Sequence, residues 1–371
     1  MMPEYLSVIL VVFYAAFLFW CLDHWNNIQK NSDTGSLRSI PTVTIVVALR
    51  NEEENVSGLL NSLLAQDYPR EKLRVILVDD HSTDNTFQLA QEFIVKNAAF
   101  NFSCIHAKRE FKKGALTDGI ETADSEIIVT TDADARAGKE WIQMIANAFL
   151  AIDVKFVSGP VDIAGKGITD KLQSAEMAGL VGIGAAGIQS GHPMICNGAN
   201  LAFRRNAFLE VGGYSGSQRQ SGDDTQLMLK IRERYPDGLT FIKDYRAIVR
   251  TVAVDRLDLL WSQRKRWASK IPSTLSGFTI FISCLAWLVH VVVFIQLLQL
   301  FYRDNILVLI LPLLIKVIAE LIFVRKVMRF YKRDIDFWLM LFAQPLYCLY
   351  IIAAGIFVPF GTYEWKGRRQ R

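Results

Sequence analysis

The sequence predicts an α/β domain with a mostly parallel sheet, carried between apolar segments long enough to cross a bilayer. Three observations point to this class. Apolar bursts alternate with helical stretches from Pro41 onward, uncharged runs lie near both ends of the chain, and acidic residues recur where the bursts stop. Of the 371 residues, 51% are hydrophobic, too many for an ordinary soluble enzyme of this length, so part of the chain belongs in lipid.

Residues 5–22, "YLSVILVVFYAAFLFWCL", carry no charge and can span a hydrocarbon core of about 30 Å as a helix. Glu4 precedes the run and Asp23, His24 and Trp25 follow it. A basic leader and a small-residue cleavage site are both missing, which favours a retained anchor over residues 1–25; an uncleaved signal-like segment is the weaker reading. Residues 26–270 form a polar block of the size of one large domain, and residues 271–371 hold three further apolar runs, at about 279–302, 305–324 and 337–360, with a basic tail.

Within the block, "TVTIVVAL" (42–49) is a β-branched strand, followed by Val56, Leu59, Leu60, Leu63 and Leu64 at helical spacing. "LRVILVDD" is the next strand and "STDNTFQLAQEFIVK" the next helix, with Ser82 or Asp84 as its N-cap. "FSCIHA", the helix "KGALTDGIETA" and "EIIVTTDADA" repeat the unit, and "KFVSGPVDIAGKG" (155–167) reads as a strand and turn. Ligands of such sheets bind beyond the carboxyl ends of the strands. That rule gathers Arg50 to Glu53, Asp79 to His81 and Asp132 to Asp134 on one rim. "SAEMAGLVGIGAAGIQSG" (174–191) is too Gly-broken to span a membrane and is either a flexible cover for an acceptor or a tightly packed helix beside the sheet.

Charge placement sets the orientation. The five cysteines, Cys21, Cys104, Cys196, Cys284 and Cys348, are scattered and odd in number, which fits a reducing cytoplasmic face without disulfides. The net charge of +4 gives no footprint for nucleic acid, and no aromatic-and-basic repeat occurs in the polar block. The block is rich in lysine and arginine and the loop Arg325, Lys326, Arg329, Lys332, Arg333 is strongly basic, so both belong on the cytoplasmic side, joined by two crossings through the short "YRDN". The tail, Lys366, Arg368, Arg369 and Arg371, is equally basic, yet a third crossing would put it outside. Either 337–360, interrupted by Pro345, Gly355 and Pro359, is re-entrant or broken, or the tail breaks the rule. Lys316 and Glu320, four apart in the third apolar run, can pair on one helix face.

The chemistry lies in acidic groups that repel one another. Asp132 and Asp134 follow an apolar strand directly, and a cation relieves such crowding. A calcium loop does not fit, because no further oxygen-ligand spacing or turn glycine follows. Mg2+ or Mn2+ held by one or two carboxylates, with phosphates and water completing its shell, does fit. Asp223 and Asp224 open an amphipathic segment, either as helix-start residues or as a pair in which crowding prepares a general base. In "WSQRKRW", Gln263, Arg266 and Trp267 share one helical face, though a basic and aromatic stretch beside an apolar run is also a common interfacial anchor.

Eight stretches occur in order: "ALRNEE" (48–53), "SLLAQDYP" (62–69), "VDDHSTDNT" (78–86), "KKGALTDGI" (112–120), "TTDADA" (130–135), "NGANLAFRRNAFLEVGGY" (197–214), "GDD" (222–224) and "QRKRW" (263–267). Together they resemble a membrane-bound family 2 glycosyltransferase of GT-A fold, in the branch that includes ceramide glucosyltransferases and polysaccharide synthases. The resemblance implies a Rossmann-like cytoplasmic domain with one N-terminal and about three C-terminal transmembrane helices in a bacterial-type inner or plasma membrane. By that resemblance Glu52, Asp79 and Asp80 hold the uridine of a UDP-sugar, Lys112 or Lys113 lies near the nucleotide or its phosphates, and Asp132 and Asp134 meet metal and diphosphate. Asp224 is the base, and Gln263, Arg266 and Trp267 lie near acceptor and diphosphate. Two positions depart from the pattern: Ala48 and Arg50 replace the usual proline and tyrosine, and Asp223 replaces a glutamate.

The implied reaction is inverting transfer of a hexose from a UDP-sugar to a hydroxyl of a lipid or lipid-linked acceptor, favoured because a processive polysaccharide synthase generally needs more helices for its channel. A non-catalytic membrane scaffold would not need Asp224. A dinucleotide-binding enzyme lacks its GxGxxG here, since "ALRNEE" follows the first strand.

Overall fold

The computed structural model describes residues 4–29, 40–215, 222–269, 276–302, 306–357, 363–365 and 368–370. Helix α1 (Glu4–Asn27) leads into the alternation β1 (Val43–Leu49), α2 (Val56–Leu64), β2 (Leu73–Asp79), α3 (Thr86–Lys96), β3 (Phe102–His106), α4 (Phe111–Thr122) and β4 (Ile127–Thr130). There follow β5 (Arg136–Ala137), α5 (Trp141–Ala148), β6 (Phe156–Ser158), β7 (Val161–Ala164), α6 (Ile168–Gln189), β8 (Leu201–Arg204), α7 (Arg205–Glu210), α8 (Asp223–Arg234), β9 (Leu239–Phe241) and β10 (Val249–Val252). Helices α9 (Leu257–Ser269), α10 (Gly277–Gln299), α11 (Ile306–Phe330) and α12 (Phe337–Phe357) come next, and β11 (Tyr363–Trp365) pairs antiparallel with β12 (Arg368–Gln370).

The main sheet runs β3-β2-β1-β4-β8-β6-β9, with β8 antiparallel to both its neighbours and every other pairing parallel. A smaller sheet, β5-β10-β7, lies beside it. Because strand side chains alternate, β1 feeds two cores: Val43, Ile45, Val47 and Leu49 join α2 and α5 on one face, while Val46 joins α4 on the other. The second core continues without a break into α1, α6, α10 and α11. One expectation shifts by a residue: Asn85 occupies the cap position of α3, and Asp84 instead accepts hydrogen bonds from the Thr86 backbone N–H (3.0 Å) and hydroxyl (2.6 Å).

Of the two readings of 174–191, the packed helix is the one observed. Helix α6 lies against α1 and α11, and its small residues allow that approach: a Cβ on Gly182 would stand 2.7 Å from Phe323 and 2.9 Å from Val327. Trp25, at the end of α1, packs against Phe241 of β9 and Phe330 of α11, and its carbonyl accepts from the Lys243 ammonium.

Three described helices are long and apolar enough to cross a membrane by length and composition: Leu6–Asn27, Gly277–Gln299 and Phe337–Ile356. The 305–324 run becomes α11, whose charges turn inward. Lys316 bonds Glu320 (2.7 Å) and Gln344 (2.7 Å), Gln344 bonds Glu320 (3.1 Å), and the Tyr14 hydroxyl donates to Glu320 (3.0 Å). Thus α1, α11 and α12 are joined by one buried polar cluster, with His290 of α10 4.0 Å from Glu320.

Helix α12 starts and finishes near the α/β domain. Just before it, Arg333 donates to the Ile163 carbonyl (2.9 Å) and pairs with Asp162 (3.2 Å), both in β7. Its middle reaches the polar cluster through Gln344, after which Tyr350 bonds Glu176 of α6 (3.0 Å) and β11 packs beside α9. Pro345 removes a backbone donor inside the helix, which nevertheless runs unbroken over Phe337–Phe357. Arg303 to Asn305, Pro359, Lys366 and Arg371 lie outside the described residues.

Because Lys316 is fully buried, removing its charge leaves Glu320 uncompensated in an apolar bundle. Lys316→Met is expected to destabilise the detergent-solubilised chain by about 3–5 kcal/mol, read from its thermal midpoint, whereas Lys316→Met, Glu320→Leu, Gln344→Leu and Tyr14→Phe together cost less than the single change.

Candidate active site

The parallel register aligns Leu49 with Asp79 and Val46 with Thr130, so the loops after β1, β2 and β4 leave the sheet at one rim. Asp132 and Asp134 stand there. The Asp134 carboxylate accepts from the Thr251 hydroxyl of β10 (2.7 Å), and burial, reinforced by Asp132, raises its pKa above the usual carboxylate range. The Lys112 ammonium, at the start of α4, forms an ion pair with Asp132. Burial alone would lower the Lys112 pKa, but Asp132 and Asp223 outweigh it and the net direction is up. Lys113 differs: burial depresses it and Asp223 only partly compensates. The loop that delivers both lysines is closed by Asp118, which accepts from the backbone N–H groups of Lys108 (2.6 Å) and Arg109 (2.9 Å) and pairs with the Arg109 guanidinium (2.5 Å).

Asp223 and Asp224 are not caps. Gly222 takes the cap position with φ of +92°, a left-handed conformation that suits glycine, and the two aspartates occupy the first turn of α8. Asp224 is 4% exposed; its Oδ2 accepts from the Gly198 backbone N–H (3.1 Å) and its Oδ1 from the Thr225 N–H (2.8 Å). Donors of this kind at a helix N-terminus hold a carboxylate in its charged form. The Gly198 loop is in turn pinned to the end of β4 by the Thr131 hydroxyl, which donates to the Ala199 carbonyl (2.8 Å). Gly198 therefore lies beside two predicted groups: a Cβ placed on it would be 3.4 Å from Asp224 Oδ2 and 3.8 Å from Lys112 Nζ.

Toward the β1 and β2 ends the rim changes character. Arg50, buried, donates to the carbonyls of Asp80 (2.6 Å) and His81 (2.9 Å), tying the two strand ends together. Asp79, 2% exposed, accepts from Ser82 N–H (3.3 Å) and contacts His106 (3.3 Å) through Oδ2, while its Oδ1 is buried with no hydrogen-bond partner among the described residues. Asp80 contacts His81 (3.2 Å), and the His106 ring stacks on Phe87 with centroids 4.0 Å apart. Glu52 accepts from the Asn55 side chain (2.9 Å), anchoring the start of α2.

Helix α9 brings the last group. Arg266 is close enough to Lys112 to oppose its charge. Gln263 and Trp267 are bridged by a residue that sequence reasoning passed over: Arg264 donates to the Gln263 side-chain oxygen and stands over the Trp267 ring, its Cζ 4.1 Å from the centroid. Thr251, Gly198 and Arg136 were missed as well. Arg136 carried a signal, since it follows Asp132 and Asp134 by only a few residues; burial lowers its pKa while Asp134 and Glu52 oppose that shift. Thr251 carried none.

The structure thus brings Lys112, Asp132, Asp134, Asp223, Asp224 and Arg266 into one electrostatic neighbourhood and sets Asp79, Asp80 and Glu52 along the same rim. Among the described residues no group of three or more His, Cys, Asp or Glu side chains gathers as a metal cage. Two crowded carboxylates, one with a raised pKa, fit instead a Mg2+ or Mn2+ ion that takes its remaining ligands from phosphate and water.

Comparison with known proteins bears on the family and the fold. Residues 44–212 match the sequence model described as Glycosyl transferase family 2. A poly-beta-1,6-N-acetyl-D-glucosamine synthase of Staphylococcus aureus is 26% identical over 269 residues, 72% of this chain and 63% of that protein. Its counterpart from Staphylococcus epidermidis is 27% identical over 240 residues, 62% of this chain and 55% of that protein, so the matched stretch spans just over half of these relatives. Among solved structures, a mannosyltransferase from Pyrobaculum calidifontis in complex with GDP-Man and Mn2+ superposes with a TM-score of 0.58 at 19% identity, covering 95% of this chain and 99% of that one. At that identity the likeness concerns fold, and the fold is the GT-A arrangement expected from the motifs. Residues 44–212 thus carry the likeness to a family 2 glycosyltransferase domain, and the fold around them is the one such a domain has.

Proposed function

We propose that this chain is a glycosyltransferase that moves a sugar from a UDP-sugar to a hydroxyl of a lipid or lipid-linked acceptor, inverting the anomeric carbon. The observation that carries the reading is that a buried carboxylate, Asp224, and the Lys112 ammonium, paired with Asp132, both come up to Gly198. A base and a phosphate-facing cation a few ångströms apart suit in-line displacement, in which the acceptor oxygen attacks as the bond to diphosphate breaks.

Asp79 Oδ1, a buried acceptor without a donor among the described residues, suits the imide N–H of uracil, with Asp80 and Glu52 shaping the same end of the rim. Lys112, with Lys113 behind it, meets the diphosphate. A Mg2+ or Mn2+ ion at Asp132 and Asp134 would neutralise the charge that builds on the departing UDP. Asp224 takes the proton of the acceptor hydroxyl, with Asp223 beside it; Gln263, Arg266 and Trp267 offer an amide, a guanidinium and an indole to acceptor and diphosphate.

The lipid reading draws support from α9, which presents these groups while packing on α12, an apolar helix whose Trp338, Phe342 and Leu346 are exposed. The basic strand β12 follows β11, which lies beside α9; this supports a cytoplasmic site with the tail on the same side and α12 re-entrant. A second reading, polysaccharide synthesis, is favoured by the similarity to the two poly-beta-1,6-N-acetyl-D-glucosamine synthases. Membranes incubated with a panel of radiolabelled UDP-sugars separate the two: label in an organic-extractable product supports the lipid acceptor, and label in a long precipitable product replaces it with polymer synthesis.

Asp224→Asn is expected to lower Mn2+-dependent UDP release by about 10²–10⁴-fold, the usual worth of a general base; equal release by both proteins would remove the mechanism. Asp79→Asn is expected to weaken UDP binding by roughly tenfold, measured by calorimetry with Mn2+, through the loss of a charged hydrogen-bond acceptor. In a cysteine-free background, Arg369→Cys and Asp237→Cys should both resist an impermeant thiol reagent until the membrane is permeabilised. Labelling of Arg369→Cys alone from outside would instead make α12 a crossing.

A further inference from the structure

Arg264 lies between the residues assigned to the acceptor and is itself 2% exposed. Its guanidinium makes three kinds of contact at once. One nitrogen donates to Gln263 Oε1, the other pairs with Glu176 Oε2 of α6 (2.5 Å), and its Cζ stands over the Trp267 ring. The second oxygen of Glu176 accepts from the Tyr350 hydroxyl of α12 (3.0 Å), and Trp261, one turn earlier in α9, meets the Tyr350 ring edge-on with centroids 6.4 Å apart. Three helices, α6, α9 and α12, therefore meet at one ion pair. Arg264 thus links Gln263 and Trp267 of its own helix to Glu176 of α6.

We propose that Arg264 and Glu176 are positioning residues that fix Gln263 and Trp267 in the pose that receives the acceptor, with Tyr350 linking that pose to α12. The proposal rests on the reading that Gln263 and Trp267 face the acceptor. An arginine is required because only a planar guanidinium can fork to a carboxylate and an amide while stacking on an indole. A lysine keeps the charge but offers no plane, so it holds Glu176 without setting the indole. Glu176 is the counterpart that keeps the guanidinium from rotating toward solvent, and without its charge the buried cation loses its partner. The line of contacts then runs from α12, through Tyr350, Glu176 and Arg264, to the side chains of α9. The nucleotide end of the rim stands outside this line, since Asp79 and Asp80 have contacts of their own.

The test is hydrogen–deuterium exchange on the full chain in lipid nanodiscs, combined with UDP binding in the presence of Mn2+ and with the thermal midpoint. Arg264→Met, Arg264→Lys and Glu176→Gln should each speed exchange of the α9 amides by tenfold or more, and Tyr350→Phe by a few-fold. Exchange of the β1–β4 amides should stay within twofold of wild type and UDP affinity should fall less than transfer does, while the thermal midpoint drops as for any broken buried pair. With the UDP-sugar that labels membranes best, transfer should fall by tenfold or more in the first three variants. Unchanged α9 exchange in all of them overturns the proposal. So does faster exchange spread over the whole sheet, which would make the pair a general structural anchor. Failure of the transfer reading itself shows elsewhere, as Asp224→Asn matching the wild type, and the exchange result is read independently of it.

Discussion

The close approach of α6 to α1 and α11 is the constraint on which the remaining geometry depends. Gly182 admits Phe323 and Val327 to within the space a side chain would need, so the apolar core of the α/β domain and that of the membrane-length helices become one body. Close packing of this kind transmits position, because a core at native density cannot shift one wall without the other. Helix α9 follows the last strand of the smaller sheet and leads toward α10, and it lies where that shared core ends. Its site-facing side chains are therefore fixed relative to the sheet rim and to α12 at once, which a domain tethered by a loose linker could not achieve.

Electrostatics sets the second layer. The rim collects acidic groups from β4 and α8 around Lys112, and each is held by donors from a different element: Thr251 for Asp134, Gly198 N–H for Asp224, Lys112 for Asp132. None of these partners neutralises the whole cluster. Asp134 remains displaced toward protonation by burial and by Asp132, a condition that a divalent cation with diphosphate would relieve. The bundle shows the opposite treatment of charge. Lys316, Glu320, Gln344 and Tyr14 satisfy one another so completely that the cluster reads as a joint between helices. The same residue types thus crowd together at the rim and join helices in the bundle.

The strands and helices from 42 to 130 were legible because β-branched runs and helical spacing follow directly from the two backbone periods. The rim was legible for a related reason: parallel strands point their carboxyl ends the same way, so acidic residues placed just after β1, β2 and β4 had to meet. Helix starts were less so. Asp223 and Asp224 read equally well as caps or as site residues until Gly222, in its left-handed conformation, took the cap position. Arg264 was hidden inside its own motif, since spacing alone marks Gln263, Arg266 and Trp267 as one face and leaves the residue between them pointing elsewhere.

The sequence by itself determined the alternation of strands and helices, the polar and apolar division of the chain and the residue types at the rim, because these depend on neighbours a few positions apart. It also posed the conflict between a basic tail and an apolar third run. Only the tertiary structure placed that run among its neighbours, setting Arg333 against β7 just before α12 and Tyr350 against Glu176 and α9 toward its other end. It likewise brought Asp224 and Lys112 up to Gly198. Such pairings join residues far apart in the chain, and no local pattern encodes which distant groups a packed core will bring within a hydrogen bond of each other.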